Sequence, residues 1–195
     1  MLDRLFKIDS FAVVRLKGAG VLNRTLPDAG LQPAVVIESV EELKPILTSH
    51  PPGALVIDGA SNGVHWGESG IPVLAIHPAP LPAYRGPGAM RWALYHDEPL
   101  EVCITLLNKN DETGLILATR PLLVRRGDTL KDIEQRGWTA GGELLAETLR
   151  RALSDGIECS QYQPWEGRVF PPEMPDDILL ELTHRLESLE YSHYV

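Results

Sequence analysis

The stretch Ala75-Ile76-His77-Pro78-Ala79-Pro80-Leu81-Pro82-Ala83-Tyr84-Arg85-Gly86-Pro87-Gly88 decides the fold of this 195-residue chain. The short apolar run Ile71–Ile76 ahead of it reads as a buried strand. Ala89–Tyr95 after it reads as a helix. Prolines 78, 80, 82 and 87 pre-set φ, so the connection holds one shape. His77 stands where strand gives way to loop, the edge at which open α/β sheets bind ligands. Its side chain titrates near neutrality, which suits proton transfer or stabilisation of an oxyanion. A structural histidine, hydrogen-bonded at a strand end, is the other reading of the same position.

Upstream, Ser10–Leu16 reads as a strand followed by a Gly18-Ala19-Gly20 turn, where backbone N–H groups can approach a ligand. A plain tight turn accounts for the same glycines. Pro33–Ile37 and Ala54–Asp58 read as further strands. Between them Ser39 and Glu42 have the spacing of a capping box. Gly59–Gly70 is a polar loop carrying Asn62 and His65. Strand–helix alternation implies parallel strands with right-handed crossovers, whose following loops leave one edge together. That places Asn62 within reach of His77. Downstream, Glu101–Leu107 and Leu115–Leu117 are strands around a polar loop, and Arg120–Arg126 reads as another. Asp128 is in position to cap a helix from about Thr129 to Leu153, with Leu144, Leu145, Leu149 and Leu153 as its apolar face. Gly137, Gly141 and Gly142 either weaken that helix or bring it close to the sheet. Asp155-Gly156 stops it. A last helix begins at Pro175-Asp176-Asp177, its stripe of Ile178, Leu179, Leu182, Leu186 and Leu189 packing on its own domain or on a partner subunit.

His77, Leu81-Pro82, Arg85-Gly86 and Arg91-Trp92-Ala93-Leu94, followed by Asp111-Glu112-Thr113-Gly114, resemble the two signatures of the folate-dependent formyltransferases. This family includes glycinamide ribonucleotide, methionyl-tRNA and sugar-amine formyltransferases, and the resemblance runs from about Pro72 to Leu153. It implies a single α/β domain over 1–195: a doubly wound, mainly parallel sheet flanked by helices, antiparallel near 101–126. Residues 157–195 are a C-terminal extension, in which Gln163–Pro172 resembles the family's short exit strand. The implied reaction moves a formyl group from 10-formyltetrahydrofolate to a small-molecule amine. The implied catalytic set is His77 with Glu112, Asp111 and Asn62. Leu107, Asn108, Lys109, Asn110 and Arg85 face the folate, and Gly18 and Gly20 the acceptor. In the family an aspartate keeps the histidine protonated so that it aids the formyl oxygen. Here Glu112 stands at that aspartate and Ala75 at the family's asparagine. Those departures define the alternative, a non-catalytic homologue that binds folate or a partner.

Composition sets outer bounds. A net charge of −9 argues against nucleic acid as the principal partner, and tRNA is not expected as substrate because no further domain follows Val195. The hydrophobic fraction of 44 % is ordinary for a globular chain. No run approaches membrane-spanning length and no signal-peptide core is seen, so a cytoplasmic protein is expected, with a homodimer as its candidate assembly. Cys103 and Cys159 show no metal spacing and read as reduced thiols. His65, His77 and His96 show no paired pattern, so no metal is expected.

Overall fold

The computed structural model describes residues 4–16, 35–37, 42, 45, 52–58, 71–107, 113–161 and 167–195. Ten strands are present among them: β1 (Arg4–Phe6), β2 (Ala12–Leu16), β3 (Val35–Ile37), β4 (Leu55–Asp58), β5 (Val73–His77), β6 (Tyr84–Arg85), β7 (Glu101–Leu107), β8 (Thr113–Pro121), β9 (Ile157–Gln161) and β10 (Arg168–Val169). The described helices are α1 (Ala89–Tyr95), α2 (Leu130–Ser154) and α3 (Asp176–Glu187). Eight strands form one sheet in the order β1-β9-β8-β7-β5-β4-β2-β3, and β10 and β6 form a separate pair.

The expected doubly wound α/β core is present. β2 pairs in parallel with β3 and β4, and β4 with β5 through Leu55–Val73 and Val56–Leu74. From β5 outward the pairing turns antiparallel, through β7, β8, β9 and β1. The antiparallel part is therefore half of the sheet rather than a rim, because β9 and β1 close beyond β8. Neither of those strands is expected from the sequence, since Arg4–Phe6 is too short to show a period. β8 runs unbroken from Thr113 to Pro121, so the strand expected at 120–126 does not form. Of that stretch, Val124 makes an isolated bridge to Tyr194.

α2 lies across β5, β7 and β8, and two glycines set how closely. A methyl group on Gly141 would come 2.5 Å from Ile76 Cγ2, and one on Gly137 would come 2.5 Å from Met90 Cε. The glycines thus serve close packing. Ile133, Leu144, Leu145, Leu149 and Ala152 are buried beneath the helix. Leu153 is 38 % exposed, a correction to the expected apolar face: Ala152, not Leu153, occupies the inner position of the last turn. Thr129, not Asp128, is the N-cap. Its hydroxyl accepts from the Asp132 N–H at 3.2 Å, and Asp132 answers by accepting the Thr129 N–H at 2.9 Å. Asp128 instead forms an ion pair with Arg136, about two turns into the helix. The helix ends before Gly156, whose φ of +85° is the left-handed conformation glycine adopts freely.

α3 packs on its own chain. Leu182 and Leu186 are buried, Ile178 and Leu179 half-buried. Arg185 donates to the Tyr95 carbonyl at 2.9 Å, and Tyr95 Oη to Glu181 at 3.0 Å. Leu189 lies past the helix at φ +58° and is exposed, so it is not part of the buried stripe. The tail is tied back by Tyr191 Oη to the Glu98 carbonyl at 2.7 Å and by the Ser192 N–H to Asp97 at 2.7 Å. Among the described residues no helix is long and apolar enough to cross a membrane.

Candidate active site

β5 is the strand at which the sheet changes from parallel to antiparallel pairing, and His77 is its last residue. Side chains alternate along a strand, so Leu74 and Ile76 face α2 while Val73, Ala75 and His77 face the other side. The register to β7 sets Leu107 beside Val73, Thr105 beside Ala75 and Cys103 beside His77 on that same face. Ala75, His77 and Leu107 are half-buried, whereas Thr105 and Cys103 are closed off from solvent. β2 and β4 end on the His77 edge, as parallel neighbours must.

His77 is held by the loop it introduces. Its Nε2 lies 2.8 Å from the carbonyl oxygen of Tyr84. A carbonyl only accepts, so Nε2 carries the proton and donates it, and in the neutral ring Nδ1 is then a bare acceptor. Burial, countered in part by the Tyr84 bond and aided by the nearby Arg85 charge, lowers the His77 pKa from 6.5 to about 4. The ring is therefore neutral at physiological pH. The resemblance implies a histidine kept protonated by a carboxylate, here Glu112, which lies outside the described residues; burial of His77 acts in the opposite direction.

The Tyr84 carbonyl is itself fixed from several sides. Leu81-Pro82 is a cis peptide, and the Tyr84 N–H donates to the Pro80 carbonyl at 3.0 Å. The Tyr84 side chain is buried, stacked on Phe170 at 5.2 Å between centroids, with its hydroxyl 2.9 Å from His96 Nδ1. Arg85 is buried as well, at 8 % exposure, and its carbonyl accepts from the Phe170 N–H at 2.7 Å. Cys103 Sγ lies 3.5 Å from the Ala79 carbonyl. Burial pushes its thiol up to about 11, so it is a thiol at neutral pH and no nucleophile.

Of the residues singled out from the sequence, the structure brings His77 and Ala75 onto one face, with Arg85 close enough to His77 to oppose its charge. Leu107 lies at the far end of β5, four residues from His77 along the strand, about 13 Å at ~3.3 Å per residue. Leu107 pairs there with Thr113, so both flanks of the β7–β8 connection sit at the Val73 end. Gly18, Gly20, Asn62, His65, Asn108, Lys109, Asn110, Asp111 and Glu112 lie outside the described residues. Two features escaped sequence reading. The Tyr84 carbonyl carries no signal, since every residue has one. Thr105, opposite Ala75 and bonded to its carbonyl at 3.4 Å, is signalled only by its register.

The family model described as formyl transferase matches residues 68–149, the segment that holds β5, the loop, α1, β7, β8 and most of α2. The chain carries a formyl transferase signature. Methionyl-tRNA formyltransferase of Myxococcus xanthus is 29 % identical over 103 residues, 52 % of this chain and 33 % of that protein. The one from Koribacter versatilis is 28 % identical over 125 residues, 62 % of this chain and 40 % of its own length. The matched stretch thus spans a third to two fifths of these relatives. Among solved structures, the formyltransferase PseJ from Anoxybacillus kamchatkensis, in complex with UDP-4,6-dideoxy-4-formamido-L-AltNAc and tetrahydrofolate, superposes with a TM-score of 0.66. Its identity is 18 %, over 91 % of this chain and 94 % of that one. Methionyl-tRNA formyltransferase from Clostridium thermocellum gives 0.61 at 14 % identity, covering 86 % and 74 %. At these identities the structures establish the fold, and the formyl transferase fold is the one expected from the sequence.

Proposed function

We propose that this chain transfers a formyl group from 10-formyltetrahydrofolate to a small-molecule amine. One observation carries the reading. Inside the segment that matches formyl transferases, His77 ends β5 on a half-buried face with its Nε2–H spent on Tyr84 and its Nδ1 left as acceptor. Ala75 and Leu107, both half-buried on that face, offer apolar contact to a flat aromatic ring system. When bound, the folate supplies the formyl carbon.

The chemistry asked of the chain has two parts. As the new C–N bond forms and the bond from carbon to the folate nitrogen breaks, the amine sheds a proton and the folate nitrogen regains one. His77 Nδ1 accepts the amine proton. The formyl oxygen gathers charge, and a donor aimed there is the largest expected catalytic contribution. Ala75 has none, and neutral His77 has already given its N–H to Tyr84. We assign that donor to Asn62, Asn108 or Asn110, and the carboxylate that relays the proton to Glu112 or Asp111. Asn108, Lys109 and Arg85 contribute folate contacts, and Gly18 and Gly20 the acceptor's. The net charge of −9 favours a small acceptor over a nucleic acid.

The missing donor at Ala75 supports a second reading, a non-catalytic homologue that keeps the binding face. Single-turnover formyl transfer across a panel of amines separates the two. The wild type is expected to transfer slowly, and His77→Ala to lose about a hundredfold or more. Restoring donor and carboxylate geometry with Ala75→Asn and Glu112→Asp is expected to raise the rate at least tenfold, given the ~10²–10³ a lost oxyanion donor costs. Transfer by the restored variant alone favours the non-catalytic reading. Absence of transfer by both, with no calorimetric binding of formyl-tetrahydrofolate, overturns the proposal.

A further inference from the structure

The segment Gly167–Phe170 runs against the signature loop with an intimacy that its two-residue strand does not suggest. β10 pairs in parallel with β6, Arg168 beside Tyr84 and Val169 beside Arg85. The Arg168 N–H donates to the Ala83 carbonyl at 3.0 Å, and the Phe170 N–H to the Arg85 carbonyl at 2.7 Å. The Gly88 N–H donates back to the Phe170 carbonyl at 3.3 Å. Three glycines permit this approach. A methyl group on Gly167 would fall on the Pro82 carbonyl, one on Gly88 on the Pro171 carbonyl, and one on Gly86 would come 2.5 Å from the Phe170 carbonyl. Gly167 and Gly86 also have φ near +85°.

The direction of the carbonyls follows from strand geometry. Successive carbonyls of an extended backbone point to opposite sides. With Ala83 and Arg85 both turned toward β10, the carbonyl between them, that of Tyr84, points away from β10, and it meets His77 Nε2. We propose that Gly167–Phe170 is a positioning strap: by holding the carbonyls on either side of Tyr84, it keeps the Tyr84 carbonyl on His77 Nε2 and so decides that Nδ1 is the nitrogen offered to a ligand. The use of that nitrogen in formyl transfer rests on the function proposed above; the choice of tautomer does not. The strap lies outside residues 68–149, so the family-matching segment receives the orientation of its histidine from elsewhere in the chain.

The test reads the imidazole directly. In the wild type, 15N shifts of His77 are expected to show Nε2 protonated and Nδ1 bare at pH 7. Gly167→Ala places its new carbon against the Pro82 carbonyl at an exposed site and is expected to lift the strap. Arg168→Pro removes the single N–H that bonds Ala83 and serves if the first variant does not fold. In either, the His77 shifts move toward a mixture of tautomers, amide exchange at Phe170 quickens, and kcat/KM for formyl transfer falls ~10–100-fold, as ångström-scale misplacement of a catalytic group does. Val169→Ala keeps every strap hydrogen bond, removes an exposed side chain, and leaves the His77 spectrum unchanged. A wild-type ring protonated on Nδ1 overturns the proposal, as does an unchanged tautomer in a variant whose Phe170 amide exchanges freely. A tautomer change without any formyl transfer in the wild type sustains the strap and refutes the function.

Discussion

Lowering the pH should weaken this fold through His77 before it touches the carboxylates. The folded chain binds the proton at His77 with a pKa of about 4, against 6.5 for an unconstrained histidine. The unfolded state therefore holds more protons between those values, and stability falls as pH falls through the window. Full stability is present above pH 6.5; about 2 kcal/mol is lost by pH 5 and about 3 kcal/mol by pH 4. Asp97, Asp128 and Asp132 are lowered from 3.8, so they remain ionised in both states at pH 5 and withdraw their support only below it. The comparison variant is His77→Gln, whose amide nitrogen reaches the Nε2 position, keeps the bond to Tyr84 and does not titrate. Urea denaturation at pH 7.5 and pH 5.0 is the assay. With a urea slope of about 2 kcal/mol per molar, the wild-type midpoint should drop by about 1 M more than that of the variant. Equal drops in the two proteins, or an NMR titration of His77 centred near 6.5, would refute the reasoning.

Two further outcomes follow from packing and capping. Thr129→Ala removes the hydroxyl that accepts the Asp132 N–H at the start of α2, and should cost about 1 kcal/mol, read as a loss of ~2–4 °C in Tm by calorimetry. Leu145→Ala empties a site with no solvent exposure between α2 and the sheet, and should cost ~2–5 kcal/mol with an unchanged urea slope. A loss below 1 kcal/mol there would mean that α2 does not cover the core as described.

Much of this protein was legible locally. Val73, Leu74 and Ile76 of the apolar run Ile71–Ile76 are buried in the core as that run leads one to expect, and Gly156 and Asp155 end α2 because a left-handed residue cannot continue a helix. α1 lies where its residues were expected. Those features depend on neighbours within a turn or two of chain. Tertiary structure decided the rest. Arg4–Phe6 is a strand only because β9 offers it an edge, since three residues contain no period to read. The strand Arg168–Val169 lies inside the expected exit strand Gln163–Pro172, but its parallel partner Tyr84–Arg85 was set by the tertiary structure. The Gly141 methyl position is forbidden by Ile76, some sixty residues away. At the site, sequence singled out His77 as a chemical group, but which of its nitrogens faces a ligand was settled by a backbone carbonyl. Carbonyls are identical at every position of a chain, so their direction is visible only once the strands that aim them have been paired.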